Sequence, residues 1–308
     1  MICGKRKDIL KVNSIQHSFQ IIRDSVYDVG LLVKFKLSFL VVFTSSLAYV
    51  MVGGLQFGFH SLVIFAAGGF MIAGAANAMN QILEKDYDSQ MDRTKNRPLA
   101  SGRMALPIAV LWAGLLCVGG LLFLAYFNAL TALLGAISLI AYAFVYTPLK
   151  RYSPIAVFVG AFPGALPVLV GCVAVEGTIT AFALLLFAIQ FFWQFPHFWA
   201  IGWLSFDDYQ RAGFKIVPVQ EDGSIHPDVG LQSLIYTSLI IPVVVLFYVM
   251  EMIGILGVIL LMAGTIYFII SAYRFYNTPS NVSARKLMFA SLYFLPIMFC
   301  VLLFNNYL

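Results

Sequence analysis

Charged residues are scarce in this chain of 308 residues: Asp, Glu, Lys and Arg make up 11% of it, and hydrophobic residues make up 61%. Soluble globular domains carry about 25% charged residues. No stretch of the sequence is long and polar enough to form a separate soluble domain. Together with a mean hydropathy of +0.90, this excludes a water-soluble protein and predicts that most of the surface faces lipid.

Cysteine is also scarce, and its positions form no motif. The four cysteines are Cys3, Cys117, Cys172 and Cys300. Their spacing indicates neither a disulfide framework nor a thiolate metal site. The N-terminal residues lack an apolar core followed by a cleavage site, and they are neither long nor acid-free enough for a mitochondrial presequence. The expected location is therefore a bacterial inner membrane.

Long apolar runs dominate what is present. About 20 apolar residues cross the hydrocarbon core as a helix, and the sequence predicts nine such spans within an all-α polytopic membrane protein. They cover residues 37–54, 59–79, 105–126, 129–147, 155–175, 178–203, 232–250, 253–273 and 287–305. Proline and glycine within 160–171 require neighbouring helices to satisfy the freed backbone groups.

The charge distribution predicts how these spans are oriented. With nine spans, all 19 Lys and Arg residues fall on the same side as the N-terminus, and the opposite loops contain only Glu176 and Glu251. By the positive-inside rule, the N-terminus faces the cytoplasm. We therefore expect a basic cytoplasmic segment at 1–36 and a transmembrane domain at 37–308.

Two of the cytoplasmic loops are long and charged, 80–104 and 204–231, and they lie four spans apart. This spacing predicts two four-helix halves of similar plan with a ninth helix added. The opposite face of the membrane is almost free of charge, which favours a chamber that opens on one side only.

The first of these loops begins with "NQILEKDYDSQMDRTKNRPL", residues 80–99. Asn80, Glu84 and Asp88 are spaced i, i+4 and i+8, so a continuing helix presents them on one face, and Asp86 points elsewhere. Like charges at this spacing destabilise a helix unless cations compensate for them. Oxygen ligands of this kind suit Mg²⁺, which binds through one or two carboxylates and substrate phosphates.

A basic cluster follows directly. Arg93, Lys95 and Arg97 place three cations within five residues, and guanidinium groups bind phosphate oxygens in a bidentate manner. Carboxylates, a divalent ion and arginines together indicate a diphosphate site. The alternative is a solvated loop whose basic residues only set the topology.

These residues resemble the first aspartate-rich motif of the intramembrane prenyltransferases of the UbiA superfamily, in particular its haem-farnesylating branch. The matching stretches are "MDRTKNRPL" (91–99), "YTPLKRYSP" (146–154), "GAFPGALPVLVG" (160–171) and "QFPHFWAIGWLSFDDYQRAGFKIVPV" (194–219). They occur in the family's order, and the resemblance extends from about residue 35 to 305.

The resemblance implies transfer of a farnesyl group from farnesyl diphosphate to a vinyl group of haem B, giving haem O, with Mg²⁺ as cofactor. Ionisation gives an allylic cation, the vinyl group captures it, and water then adds. Membrane lipid surrounds the chain, a haem A synthase is a candidate partner, and no nucleic acid is expected.

The resemblance also implies roles for individual residues. The expected catalytic residues are Asn80, Glu84, Asp88, Arg93 and Arg97. The expected substrate-binding residues are Lys95, Lys150, Arg151, His197, Asp207, Asp208 and Tyr209, and the expected metal ligands are Asn80, Glu84, Asp88 and Asp208. The sequence departs from the superfamily at Glu84, where Asp is usual, and at adjacent Asp207 and Asp208, where two Asp four apart are usual. A second metal ion held entirely as in the superfamily is therefore not expected.

His197 lies in an apolar span beside Pro196, where we expect the helix to break. A histidine within a span is costly and tends to be functional, and haem is the expected partner, through its iron or a propionate. The alternative is a structural histidine bonded to a carbonyl that Pro196 leaves free.

Two other functions stay open at this point. A related prenyltransferase would use a quinone precursor or chlorophyllide as acceptor, which the prenylation of haem versus 4-hydroxybenzoate would decide. An ion-coupled transporter would also carry membrane acids, but near the midplane with access from both sides.

Overall fold

The computed structural model describes Gln20 and residues 23–305. Over this range the chain is helical, and the nearest approach to a sheet is one isolated β-bridge between Val219 and Ile225. The predicted all-α fold is confirmed.

The helices of the described range, in chain order, are α1 Arg23–Leu32, α2 Phe35–Met51, α3 Phe59–Asp88, α4 Leu106–Ala125, α5 Ala129–Leu149, α6 Ala156–Glu176, α7 Ala181–Leu204, α8 Phe206–Arg211, α9 Asp228–Val249, α10 Ile255–Asn277 and α11 Asn281–Leu303. Eight of them are long and apolar enough to span a membrane by themselves, and α1 with α2 forms a ninth candidate bent by 55°. The nine predicted spans agree with this arrangement. The division into two similar halves stays a prediction.

The spans pack against one another in sequence order. Each span contacts the next one along the chain, and α11 returns to contact both α7 and α2. Helix α6 is the most buried span and contacts α2, α5 and α7. Its small residues permit this close packing: a Cβ on Gly160 would lie 2.6 Å from the ring of Tyr146.

The prolines show how neighbours satisfy backbone groups in lipid. Pro167 cannot donate to the carbonyl of Pro163, and the Ser138 hydroxyl of α5 donates to that oxygen instead at 3.2 Å. The expected break at Pro196 is wrong, because α7 continues through it from Ala181 to Leu204. Buried Gln194 on the same helix donates to the Ala161 carbonyl at 2.9 Å and ties α7 to α6.

The end of helix α3 and the bend between α1 and α2 determine where the predicted site residues lie. Helix α3 extends to Asp88, nine residues past the predicted span, so the whole acidic row lies on one continuous helix. The expected basic segment 1–36 lies mostly outside the described residues, but α1 and the turn that follows it are described. The start of α2 and the ends of α3, α5 and α7 meet at one end of the bundle, since successive spans alternate in direction.

Candidate active site

The acidic row of α3 is buried on one face of the helix. Asn80, Glu84 and Asp88 are each at most 3% exposed, and Asp86 is exposed. The Asn80 amide donates to Glu84 Oε2 at 2.8 Å and to the Thr147 hydroxyl at 3.2 Å. The row therefore faces the end of α5 rather than water.

Cations compensate for the row's charge directly. Arg97 Nη1 donates to Asp88 Oδ2 at 2.6 Å. Lys150, itself buried, forms an ion pair with Glu84. Burial lowers the pKa of Lys150, and the Glu84 carboxylate opposes that shift. The sequence predicts both cations as ligands of a diphosphate, and in the structure they contact the carboxylates.

A third cation, Lys34, was not predicted from the sequence. Its Nζ donates to Asn80 Oδ1 at 2.8 Å. Lys34 lies at the bend between α1 and α2 with φ of 47°, a left-handed conformation that costs a side-chain-bearing residue roughly 1–3 kcal/mol. In the sequence it looks like one more topological lysine, because nothing local indicates that the helix bends there.

Side-chain bonds hold this bend in place. The Gln81 amide donates to the carbonyls of Leu31 and Leu32, both at 2.8 Å, and so satisfies the C-terminal end of α1. Arg103 donates to Asp28 of α1 at 3.0 Å. The left-handed turn at Lys34 is therefore fixed by α3 and by the loop that follows it.

The two long charged loops meet at this end of the bundle. Arg93 donates to the Tyr209 hydroxyl at 3.0 Å, with its guanidinium 5.2 Å from the centre of the Tyr209 ring. Arg211 bridges Asp208 and Asp92, the latter at 2.9 Å. Residues 80–104 and 204–231 thus form one connected surface, which the sequence left as two separate motifs.

Two of the predicted site residues, Asp207 and Lys95, lie at the exposed edge of the site. Asp207 is exposed, and Lys95 forms an ion pair with exposed Asp92 at 2.7 Å. Hydrogen bonds from Lys95 and then Arg211 hold the pKa of Asp92 below its usual value. Asp208 contacts Arg211, and the part of the chain that the structure describes contains no group of three or more His, Cys, Asp or Glu arranged for a metal. The expected metal ligand Asp208 is thus not assembled with the row.

The short loop after α5 completes the site. Its Lys150 carbonyl accepts from the Lys215 amide at 2.7 Å. Arg151 donates to the Leu83 carbonyl at 2.8 Å and lies 3.9 Å from the Tyr87 ring centre. A π-helical segment, Ala141–Tyr146, precedes this loop, and such segments are frequent at functional sites. The backbone contacts fix the direction of the Lys150 side chain towards Glu84.

His197 lies at the interface between α7 and α11. Its Nδ1 lies 2.8 Å from Ser291 Oγ, and Ser291 donates its own proton to the Met288 carbonyl at 2.5 Å. In a neutral imidazole Nδ1 must then be the donor, so Nε2 carries the lone pair. The ring stacks on Trp193 with centroids 4.7 Å apart. Its hydrogen bond is therefore to a serine on another helix, and not to a carbonyl freed by Pro196.

We expect Arg93→Lys to raise the KM for a diphosphate substrate about tenfold, because lysine keeps the charge but loses the guanidinium fork, and one charged hydrogen bond contributes about 1.5 kcal/mol. Steady-state kinetics of the purified protein measure this. Tyr209→Phe is the matched control that tests whether Tyr209 positions the Arg93 side chain, because it removes only the hydroxyl that accepts a hydrogen bond from Arg93. Wild-type kinetics in Arg93→Lys would return this arginine to a topological role.

Taken together, the fold and the site define a multi-pass membrane protein with a buried cluster of carboxylates and cations at one end of an apolar helical bundle. The model of the UbiA prenyltransferase family matches residues 41–298. Since this is most of the chain, the protein belongs to the UbiA prenyltransferase family and is a prenyltransferase.

Several relatives are similar over nearly the whole chain. The protoheme IX farnesyltransferase of Christiangramia forsetii is 40% identical over 89% of this chain and 92% of its own length. The protein of that name from Cytophaga hutchinsonii is 41% identical over 86% of this chain and 93% of its own. The mitochondrial protoheme IX farnesyltransferase of Arabidopsis thaliana is 39% identical over 89% of this chain and 63% of its own.

Solved structures share the fold at low identity. A digeranylgeranylglyceryl phosphate synthase matches with a TM-score of 0.77 at 17% identity, over 92% of this chain and 98% of its own. A UbiA homologue from Archaeoglobus fulgidus bound to GPP and Mg²⁺ matches with a TM-score of 0.61 at 15% identity, over 89% and 99%. These two likenesses establish the fold of the chain.

Proposed function

We propose that this protein transfers a farnesyl group from farnesyl diphosphate to a vinyl group of haem B, giving haem O and diphosphate. The observation that carries the proposal is the buried carboxylate row with its cations, in a chain about 40% identical to protoheme IX farnesyltransferases along nearly its full length. The carboxylates and cations suit the diphosphate, and the relatives' name indicates the acceptor.

The residues of the row fit one Mg²⁺ ion. Glu84 and Asp88 supply two carboxylates and Asn80 supplies a carbonyl oxygen, and Asp88 Oδ1 is buried without a hydrogen-bond partner in the described structure. Mg²⁺ commonly binds through one or two carboxylates plus substrate phosphates. When bound, it would stabilise negative charge on the leaving diphosphate. A GPP- and Mg²⁺-bound homologue of the same fold supports this choice of metal.

The chain's own residues account for the remaining electrostatics. As the carbon–oxygen bond of farnesyl diphosphate breaks, its electron pair passes to the diphosphate. Arg97 and Lys150 lie where they can neutralise that charge, and they do so in a site with little water, where such contacts are strongest. The apolar interior of the bundle protects the allylic cation from premature attack by water until the vinyl group captures it. Water then adds.

His197 is proposed to contact the haem. Its Nε2 lone pair receives no hydrogen bond from the described residues, and Trp193 and Ser291 fix the ring. We expect His197→Ala to weaken haem binding about tenfold while the affinity for farnesyl diphosphate stays nearly unchanged, since a single contact of this kind contributes about 1.5 kcal/mol. Titration of the purified protein with haem, followed in the Soret band, measures this.

The Soret band also separates two kinds of contact. Iron ligation predicts a shifted band in the variant that added imidazole partly restores, and a propionate contact predicts weaker binding with an unchanged band. His226→Ala is the matched control, because His226 is a partly exposed loop residue beside Asp228. Normal haem affinity and spectrum in His197→Ala, together with a lower melting temperature, would make His197 a structural residue.

The acceptor is the point on which the alternatives differ. Another prenyltransferase of the family would farnesylate a quinone precursor or chlorophyllide. Membranes containing the protein, supplied with farnesyl diphosphate and equal amounts of haem B and 4-hydroxybenzoate, should yield a farnesylated haem. Farnesylated 4-hydroxybenzoate alone would contradict the proposal. A transporter is disfavoured, because the buried ionic cluster lies at one end of the bundle and not at its middle.

We further propose that the protein resides in a bacterial inner membrane with its N-terminus in the cytoplasm. The support is the asymmetric distribution of Lys and Arg among the loops. This orientation places the diphosphate site on the cytoplasmic face. A haem A synthase as protein partner stays a prediction.

A further inference from the structure

We propose that Lys34, Arg97 and Lys150 act as counter-ions of the carboxylate row and compete with free divalent metal for it. When metal and diphosphate bind together, these three side chains leave the row and bind the diphosphate instead. The inference rests on the proposed function and extends it to the order in which ligands bind. Lys34 is the new member of the site.

Cations already contact each side chain of the carboxylate row. All three oxygen-bearing side chains of the row are engaged by cations: Asp88 by Arg97 at 2.6 Å, Glu84 by Lys150, and Asn80 Oδ1 by Lys34 at 2.8 Å. Asp88 Oδ1 is buried without a hydrogen-bond partner in the described structure, so a free ion can reach that one oxygen directly. To coordinate Asn80 Oδ1 and Glu84 Oε1 as well, it must displace the ammonium groups of Lys34 and Lys150 from buried partners.

The burial of these groups makes the displacement costly. Glu84 and Asp88 are 3% and 1% exposed, and Lys150 is 8% exposed. A cation moved away from such a pair loses its partner in a poorly solvated site, where an unpaired charge is strongly destabilising. The displaced cations consequently need a new anion close by.

The balance of charge identifies that anion. Arg97 and Lys150 balance the charges of Asp88 and Glu84, and Lys34 adds an amino group on the neutral Asn80 amide, so the row offers no net negative charge to a free cation. Free Mg²⁺ would therefore add uncompensated positive charge. A diphosphate carries more negative charge than one divalent ion cancels, so the metal–diphosphate complex is an anion that the cluster attracts. The complex also offers phosphate oxygens to each displaced cation.

Hydrogen bonds between α3 and the end of α1 hold Lys34 in its position. Gln81, on the same helix as the row, bonds both terminal carbonyls of α1, and the next turn of α3 carries Glu84. The left-handed conformation of Lys34 directs its side chain to Asn80 from a different helix. Thus the three cations come from three separate segments and converge on one row.

The binding of Mn²⁺, used as a substitute for Mg²⁺, tests this directly. Protein-bound Mn²⁺ per chain is measured by ultrafiltration and electron paramagnetic resonance on the purified full chain, at matched free Mn²⁺, with and without inorganic diphosphate. We expect diphosphate to tighten Mn²⁺ binding at least about tenfold, which lies within the usual range of coupling between two ligands. By the same linkage, Mn²⁺ should tighten diphosphate binding by an equal factor.

Charge-removing variants test the counter-ions themselves. Lys34→Gln keeps a hydrogen-bond donor but removes the charge, so Mn²⁺ binding without diphosphate should tighten severalfold and the coupling factor should fall. Lys150→Gln should likewise tighten Mn²⁺ binding without diphosphate and lower the coupling factor. Lys85→Gln is the matched control, because Lys85 is an exposed lysine on the same helix outside the cluster. It should leave both values unchanged.

The outcomes separate the inference from the proposed function. Equal Mn²⁺ affinity with and without diphosphate in the wild type would overturn the inference alone. Binding in neither condition would overturn the proposed metal–diphosphate site and the inference with it. Unchanged Mn²⁺ binding in Lys34→Gln, with an unchanged melting temperature, would remove Lys34 from the set. If Lys150→Gln does not fold, the wild type and Lys34→Gln decide the question.

Discussion

Alanine in place of Asp88 is expected to lower farnesyl transfer at least about a hundredfold, since electrostatic groups at a developing charge typically contribute factors of this size. Asp88 is 1% exposed, receives Arg97, and has one oxygen free of hydrogen bonds in the described structure. Alanine removes a metal ligand and leaves Arg97 without its partner. Asn80→Ala and Glu84→Ala should also lower turnover strongly. Haem product formed per unit time by purified protein measures the effect.

Asp86→Ala is the control for this result. Asp86 is two residues from Asp88 on the same helix, but its side chain is exposed and faces away from the row. It should retain most of the activity. Equal losses at Asp86 and Asp88 would mean that the buried face of α3 is not the reactive one.

Arg97→Gln is expected to destabilise the protein by roughly 3 kcal/mol and to abolish most of its activity. The stability loss arises because the buried Asp88 carboxylate would lose its charged partner, which typically costs about 3–5 kcal/mol. Arg97 itself is 22% exposed, so the lower end of that range applies. Thermal unfolding in detergent, alongside turnover, provides the measurement.

A double variant distinguishes the loss of stability from the loss of activity. Arg97→Gln combined with Asp88→Asn should recover most of the stability, because no unpaired charge remains, but none of the activity. Arg93→Gln is the matched single control: Arg93 is exposed and bonds a neutral tyrosine, so its melting temperature should not change. An Arg97→Gln protein as stable as the wild type would show that the pair with Asp88 contributes nothing to the fold.

The spans and the acidic row were accessible from the sequence for clear physical reasons. Lipid requires long apolar helices with internally satisfied backbones, so the hydropathy pattern determines where they lie. The fixed geometry of a helix places Asn80, Glu84 and Asp88 on one face. These features are local, and local spacing in the sequence is enough to predict them.

The partners of the row were not accessible, because they depend on contacts between distant segments. Lys34 lies 46 positions before Asn80, and it reaches the site only because the helix bends by 55° at that point. Arg93 and Tyr209 are separated by 116 positions. Proline also misled the prediction, because helix α7 continues through Pro196 from Ala181 to Leu204.

The most direct test of the account is product formation by the purified protein from haem B and farnesyl diphosphate, with Mg²⁺ and with a chelator. We expect a haem product heavier by one farnesyl group and one hydroxyl group, formed with Mg²⁺ and lost when the chelator removes it. An equal rate without divalent metal would contradict the assignment of the carboxylate row. The absence of any farnesylated haem, with a quinone precursor farnesylated in its place, would contradict the proposed reaction.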